Sequence, residues 1–184
     1  MIRTFIALEL PADLKAELIK VISRFRHRIP QGANWVKPEN LHITMVFIGD
    51  VPPERIAEID EAIQMLLEGF PAFNFKALGL ELVSSRERQV LWAKLEAEND
   101  DVFKLQRRMI GSLRKLDIPP DRKPLKLHIT LARLKTAVEP ELAREIMQCE
   151  INKQSRAYES LCLFRSVLTP SGPNYSVIEQ YKLK

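Results

Sequence analysis

Residues 37–45 read KPENLHITM and residues 123–131 read KPLKLHITL. Over positions 37 to 44, six of eight residues recur 86 places later, the spacing that separates His42 from His128. In an extended chain, residues two apart share a face. His42 and Thr44 therefore point one way, and Leu41, Ile43 and Met45 the other. His128 and Thr130 stand in the same relation to Leu127, Ile129 and Leu131. Each strand offers an apolar face to a core and a polar pair to the opposite side. Leaving that pair buried and unsatisfied costs a few kcal/mol on the order of the desolvation of its groups. A chain that writes this line twice is expected to turn both polar faces toward one wet cleft.

The surroundings of the two copies correspond as well: a helix before, a proline-marked approach, then a proline-led helix at Pro53 and at Pro140. The correspondence marks an internal repeat at the level of this unit. Two lobes related by approximate two-fold symmetry would set the strands side by side. Elsewhere the periodicity alternates between strand and helix. Residues 2–10 read as a strand ending at Pro11. Residues 12–28 place Leu14, Leu18, Val21, Ile22 and Phe25 at helical spacing, closed by Pro30. A strand over 40–48 is followed by a turn at Gly49-Asp50 and a helix over 53–68. Strands at 73–82 and 89–95 precede a helix over 100–116, with Asp100 or Asp101 as its N-cap. The break DIPPDRKP leads into the strand KLHITLARL. A short helix over 139–147 and strands near 158–168 and 174–183 complete the chain. The fold class expected is α/β (α+β). With no composition shift or Gly/Ser-rich linker between the halves, residues 1–184 read as one domain.

Composition narrows the partners. The net charge of +4 is a mild basic bias, compatible with a phosphate-bearing partner. No run approaches the roughly 18 apolar residues that cross a bilayer. The opening MIRTFIALELPADLK is too short and too quickly charged for a secretory signal. Two cysteines, Cys149 and Cys162, build no disulfide framework, which points to packing roles and a reducing cytoplasm. The basic run RFRHR at 24–28, His27 included, reads as a solvated helix face. Trp35 and Trp92 read as core or lobe-packing residues.

Two facing imidazoles suit displacement at phosphorus. One takes the proton of the attacking oxygen and the other protonates the leaving oxygen, and histidine titrates in the range where it can do either. The hydroxyls of Thr44 and Thr130, with nearby cations, can hold the charge that develops on phosphate oxygens. Zinc is a poorer fit, since neither histidine has a partnering cysteine or a nearby second histidine. Strict alternation nominates Lys126, two places before His128, as a cleft-facing cation. It would turn Arg133 away from His128 unless a bulge, a twist or the strand's end intervenes. The first copy has Phe47 where the second has Arg133. That difference suggests apolar packing or a base platform from one lobe and charge from the other.

The tetrads HITM (42–45) and HITL (128–131) resemble the paired H-x-T-x motifs of the 2H phosphoesterase superfamily. With RTFIALELP, WVKPENLHITMVFIGDV, HITLARL and YSVIEQYKL, the chain resembles the RNA 2′,3′-cyclic phosphodiesterases, also named 2′-5′ RNA ligases, from about residue 2 to residue 183. The resemblance implies a bilobal fold around a central cleft and hydrolysis of a terminal 2′,3′-cyclic phosphate on RNA to a 2′-phosphate. Under it, His128 is the proton acceptor and His42 the proton donor. Thr44 and Thr130 hold phosphate oxygens, and Arg133 contacts phosphate. No metal or other cofactor is implied, and a cytoplasmic monomer acting on RNA ends is expected, with ligation as the same path reversed. Two other readings fit the same residues: a phosphodiesterase of small cyclic nucleotides or 2′-5′ oligonucleotides, and an RNA-end-binding module without turnover.

Overall fold

The computed structural model describes residues 1–29, 31–85, 88–169 and 172–184. In chain order its elements are β1 (Ile2–Glu9), α1 (Ala12–Arg26), β2 (Ala33–Trp35), β3 (His42–Val51), α2 (Ile56–Leu67), β4 (Phe73–Ser85) and β5 (Arg88–Ala97). They continue with α3 (Asp101–Lys115), β6 (His128–Leu134), α4 (Pro140–Met147), β7 (Ser155–Tyr158), β8 (Ser160–Thr169) and β9 (Gly172–Lys182). The predicted helices and long strands are all present. Two short strands, β2 and β7, were not expected; three or four residues are too few to show a period. Helix α1 starts directly after Pro11 and buries the five residues its spacing singled out, Leu14, Leu18, Val21, Ile22 and Phe25. Each such side chain contributes roughly 1.5–3 kcal/mol of gross burial. At α3, Asp100 holds the capping position without a side-chain bond. The cap comes from Asn99, whose Oδ1 accepts the Asp101 N–H at 3.0 Å.

The strands form two antiparallel sheets, ordered β3-β1-β8-β9 and β2-β6-β5-β4-β7. This topology extends the repeat from the motif to whole halves. The series β1-α1-β3-α2-β4 is followed by β5-α3-β6-α4-β8. In each, the motif strand pairs with the strand that opens its own series. The closing strands are exchanged: β4 pairs with β5, and β8 with β1. One continuous core takes residues from both sheets and the helices. A smaller cluster, Phe5, Ala7, Cys162 and Phe164 with Tyr175 against it, covers the other face of β1. Being buried on both faces, β1 reads as an unbroken apolar run.

The motif strands are irregular in the same place. Opposite β1, Val46 faces Ile6 and Thr44 faces Ala7, so Met45 has no counterpart. Opposite β5, Ala132 faces Leu91 and Thr130 faces Trp92, so Leu131 has none. Met45 and Leu131 are the same position of the repeat. An extra residue of this kind is a β-bulge, and it inverts which face the following residues occupy. Two neighbours are accordingly buried in succession, Met45 with Val46 and Leu131 with Ala132. Beyond them Phe47 and Arg133 come round to the His-Thr face. The turn expected at Gly49-Asp50 is not formed: β3 runs on to Val51. A second irregularity lies there instead, where Gly49 adopts φ +94°, a conformation that suits glycine.

Candidate active site

Strands β3 and β6 lie against one another, and each begins at its histidine. The two imidazoles are anchored alike. His42 Nδ1–H donates to the Asn40 carbonyl at 2.7 Å, and His128 Nδ1–H to the Lys126 carbonyl at 2.8 Å. A carbonyl only accepts, so in the neutral rings the proton sits on Nδ1 and Nε2 keeps its lone pair. His42 Nε2 accepts the Thr44 hydroxyl at 2.9 Å. His128 Nε2 has no partner among the described residues. The Asn40 anchor is itself held, since its Nδ2–H donates to the Pro173 carbonyl at 2.8 Å.

The packing around the rings differs between lobes. His42 lies among aromatics, with Phe5 at 5.1 Å and Tyr175 edge-on at 5.4 Å between ring centroids. His128 packs against Trp92 at 4.4 Å. Of the two roles expected from sequence, core or lobe packing, Trp92 takes the second: it is half-buried and forms part of the His128 wall. It sits opposite Thr130, and its indole N–H donates to Glu81 at 3.1 Å. Glu81 also holds Lys94 at 2.9 Å. Burial lowers the pKa of His42 from the usual range to about 4, against the Asn40 bond that raises it; His128 and Arg133 lower it further. Burial likewise lowers His128, with Arg133 and Lys126 adding to the effect. Both rings are thus neutral near pH 7 before any anion arrives.

One cleft of about 1160 Å³ gathers the residues nominated from sequence: His42, Thr44, Phe47, Lys126, His128, Thr130 and Arg133 all line it. Arg133 reaches it through the bulge, as does Phe47, which is 53% exposed. Lys126 precedes β6 and so owes its position to the loop, not to strand alternation. Its backbone and its charge both act on His128. Trp35 lines the same cleft and packs against the core. Arg26, Lys37, Lys123, Lys126 and Arg133 face this space against one carboxylate, Asp121. That excess equals the net charge of the whole chain, so the basic bias is concentrated here. Sequence reasoning missed Tyr175 and Phe5. Tyr175 lies inside the quoted YSVIEQYKL and Phe5 inside RTFIALELP, but neither carries a periodic or motif signal of a role.

The family model for LigT-like phosphoesterases matches residues 8–92 and 95–175, one segment around each histidine. The chain belongs to this family. It is similar to proteins named RNA 2′,3′-cyclic phosphodiesterase. One from Thermotoga maritima is 29% identical over 177 residues, covering 96% of this chain and 92% of the relative. One from Thermus thermophilus is 30% identical over 189 residues, covering 99% and 90%. A Thermus thermophilus crystal structure superposes with a TM-score of 0.82 at 28% identity, over 98% of this chain and 97% of that one. Escherichia coli LigT complexed with 3′-AMP shares the fold, with a TM-score of 0.73 at 21% identity over 99% and 98%. The bilobal 2H phosphoesterase fold expected from the doubled motif is the fold of these neighbours. Among the described residues, no three His, Cys, Asp or Glu side chains converge in a metal-holding group, and no helix is long and apolar enough to cross a membrane.

Proposed function

We propose that this protein hydrolyses the 2′,3′-cyclic phosphate at the 3′ end of RNA, leaving a 2′-phosphomonoester. The observation that carries the reading is the pair of identically anchored imidazoles, each with Nε2 free of the backbone, in one cationic cleft. The names of the similar proteins support the substrate class. His128 Nε2 takes a proton from water as its oxygen attacks phosphorus; the P–O3′ bond breaks, and His42 Nε2–H delivers a proton to O3′. Thr44, Thr130 and Arg133 hold the non-bridging oxygens, with Lys126 adding charge beside His128. Phe47 serves as a platform for the terminal base. A 5′-hydroxyl in place of water would give a 2′-5′ phosphodiester by the same proton transfers.

The direction of transfer follows the resemblance, and the unliganded site opposes it in one respect. His42 is held down to about 4 and arrives without the proton it must donate. An anionic phosphate between the rings reverses the sign of the local field and raises both, so His42 takes up a proton from solvent as the substrate binds and then delivers it to O3′. The test is turnover, in EDTA, of an RNA with a 2′,3′-cyclic end, followed by identification of the product. A 2′-phosphate formed at an undiminished rate is expected. His42→Ala and His128→Ala should each lower kcat/KM by about 10²–10⁴-fold, the range of general acid–base catalysis. Near-normal activity in either variant removes that histidine from the mechanism, and binding without turnover removes the reaction.

A further inference from the structure

The basic run RFRHR is not the uniform solvated face that its composition suggests. Arg24 and Arg28 both reach Glu145, at 3.0 and 2.9 Å, and tie the end of α1 to α4. Phe25 is in the core. Arg26 and His27 remain exposed, their side chains make no hydrogen bond or ion pair among the described residues, and both line the cleft that holds His42 and His128. Ile22, Ile29, Trp35 and Val36 line the same cleft and give it an apolar floor that packs on the core.

Volume and charge decide what that wing can hold. Sites for drug-sized molecules enclose roughly 300–1,000 Å³, and this cleft, at about 1160 Å³, exceeds that range. A second cavity, of about 520 Å³, shares His42 and Tyr175 with the cleft. Its wall carries Glu9, Glu39 and Glu159 against Lys15 alone, which repels a phosphodiester chain. The α1 wing carries the opposite sign. The C-terminal end of α1 contributes partial negative charge, so attraction for phosphate there rests on the side chains. Every further nucleotide of a strand with a cyclic 3′ end lies on its 5′ side.

We infer that the nucleotide preceding the cyclic end of an RNA substrate lies along α1. Its base rests on the apolar floor and its phosphate meets Arg26 and His27. This rests on the phosphodiesterase reading above and names the part of the substrate that reading leaves open. The experiment compares kcat/KM for a 2′,3′-cyclic mononucleotide and for a short RNA with the same cyclic end, in the unmodified protein, Arg26→Glu and Arg108→Glu. Arg108 is exposed on α3, lines neither cavity, and carries the same charge change. The RNA should be favoured by about tenfold or more. Arg26→Glu should lower its kcat/KM about tenfold and flatten its log–log salt dependence by about 0.7, one single-strand phosphate contact. Arg108→Glu should do neither, and the mononucleotide should respond little to either change. A loss on RNA under twofold, equal losses on both substrates, or equal losses in both variants overturns the inference. If nothing is turned over, the phosphodiesterase reading fails by itself. Anisotropy of a labelled RNA with a 2′-phosphate end then still reads the subsite: Arg26→Glu weakening its binding about tenfold upholds it, and unchanged binding overturns it.

Discussion

A histidine with a pKa near 4 stores pH dependence in the fold. In the unfolded chain the ring protonates below about 6.5; in the folded protein His42 resists protonation until about 4. Between those values the unfolded state binds more protons, so stability rises with pH there. The contribution is complete above about 6.5 and is lost as pH falls toward 4, on the order of 3 kcal/mol at most. Replacing His42 by Gln should flatten thermal stability between pH 6.5 and 4.5, while the unmodified protein loses Tm over that span. Parallel melting curves for the two proteins would refute the account. Catalysis should show the same pair from the other side. Because the anionic substrate raises both rings, the limbs of kcat, which reports the complex, should lie at higher pH than those of kcat/KM, which reports the free protein. Both limbs belong to the coupled pair. At this scale the histidines and threonines were legible from alternation and duplication. Trp92 was not, because its role depends on which strand lies beside Thr130.

The decisive element-scale feature is the bulge that each motif strand carries at the same point. Strict alternation sends Arg133 to the core side, where an unpaired guanidinium would be costly to bury. The unpaired Leu131 reverses the face and brings Arg133 into the cleft. Met45 does the same for Phe47 in the other lobe. Deleting Leu131 should close the bulge and leave Arg133 on its face, because Thr130, Ala132 and Arg133 then alternate regularly opposite Trp92, Leu91 and Val90. The deletion is expected to lower Tm, since it removes a fully buried side chain, yet to keep more kcat/KM than Arg133→Ala, which at an exposed position should leave Tm within a degree or two. Activity in the deletion at or below that of Arg133→Ala would refute this assignment of faces. Bulges escape sequence reading because an extra residue is extra only relative to a partner strand. The short β2 and β7 escape it for a related reason, being defined by pairing with β6 and β4.

For the molecule as a whole, the exchanged closing strands bind the two lobes together. β1 has β8 of the other series as its neighbour, and β4 has β5. Arg156, almost fully buried on β7, holds Asp13 at 2.6 Å and Glu17 at 3.2 Å on α1. We propose that residues 1–184 form one folding unit, as the absence of a linker suggests. Residues 1–85 expressed alone would leave β1 without its β8 neighbour and its Phe5 face without Phe164 and Tyr175, and should show little stable secondary structure by circular dichroism. The intact chain should unfold in a single transition by far- and near-ultraviolet probes. A stably folded half, or two separated transitions, would count against one unit.

The local spelling determined the four helices, the long strands and the His-Thr face of each motif, since periods of 3.6 and 2 act within a few consecutive residues. It also announced the pairing of the two strands by repeating itself. Tertiary structure alone decided that Arg133 and Phe47 turn into the cleft, that Trp92 supports His128, and that RFRHR divides into an anchor on Glu145 and a wall of the cleft. Those outcomes depend on which chain segment lies alongside another. That is fixed when apolar faces from distant parts of the sequence are buried together, and no window of consecutive residues contains it.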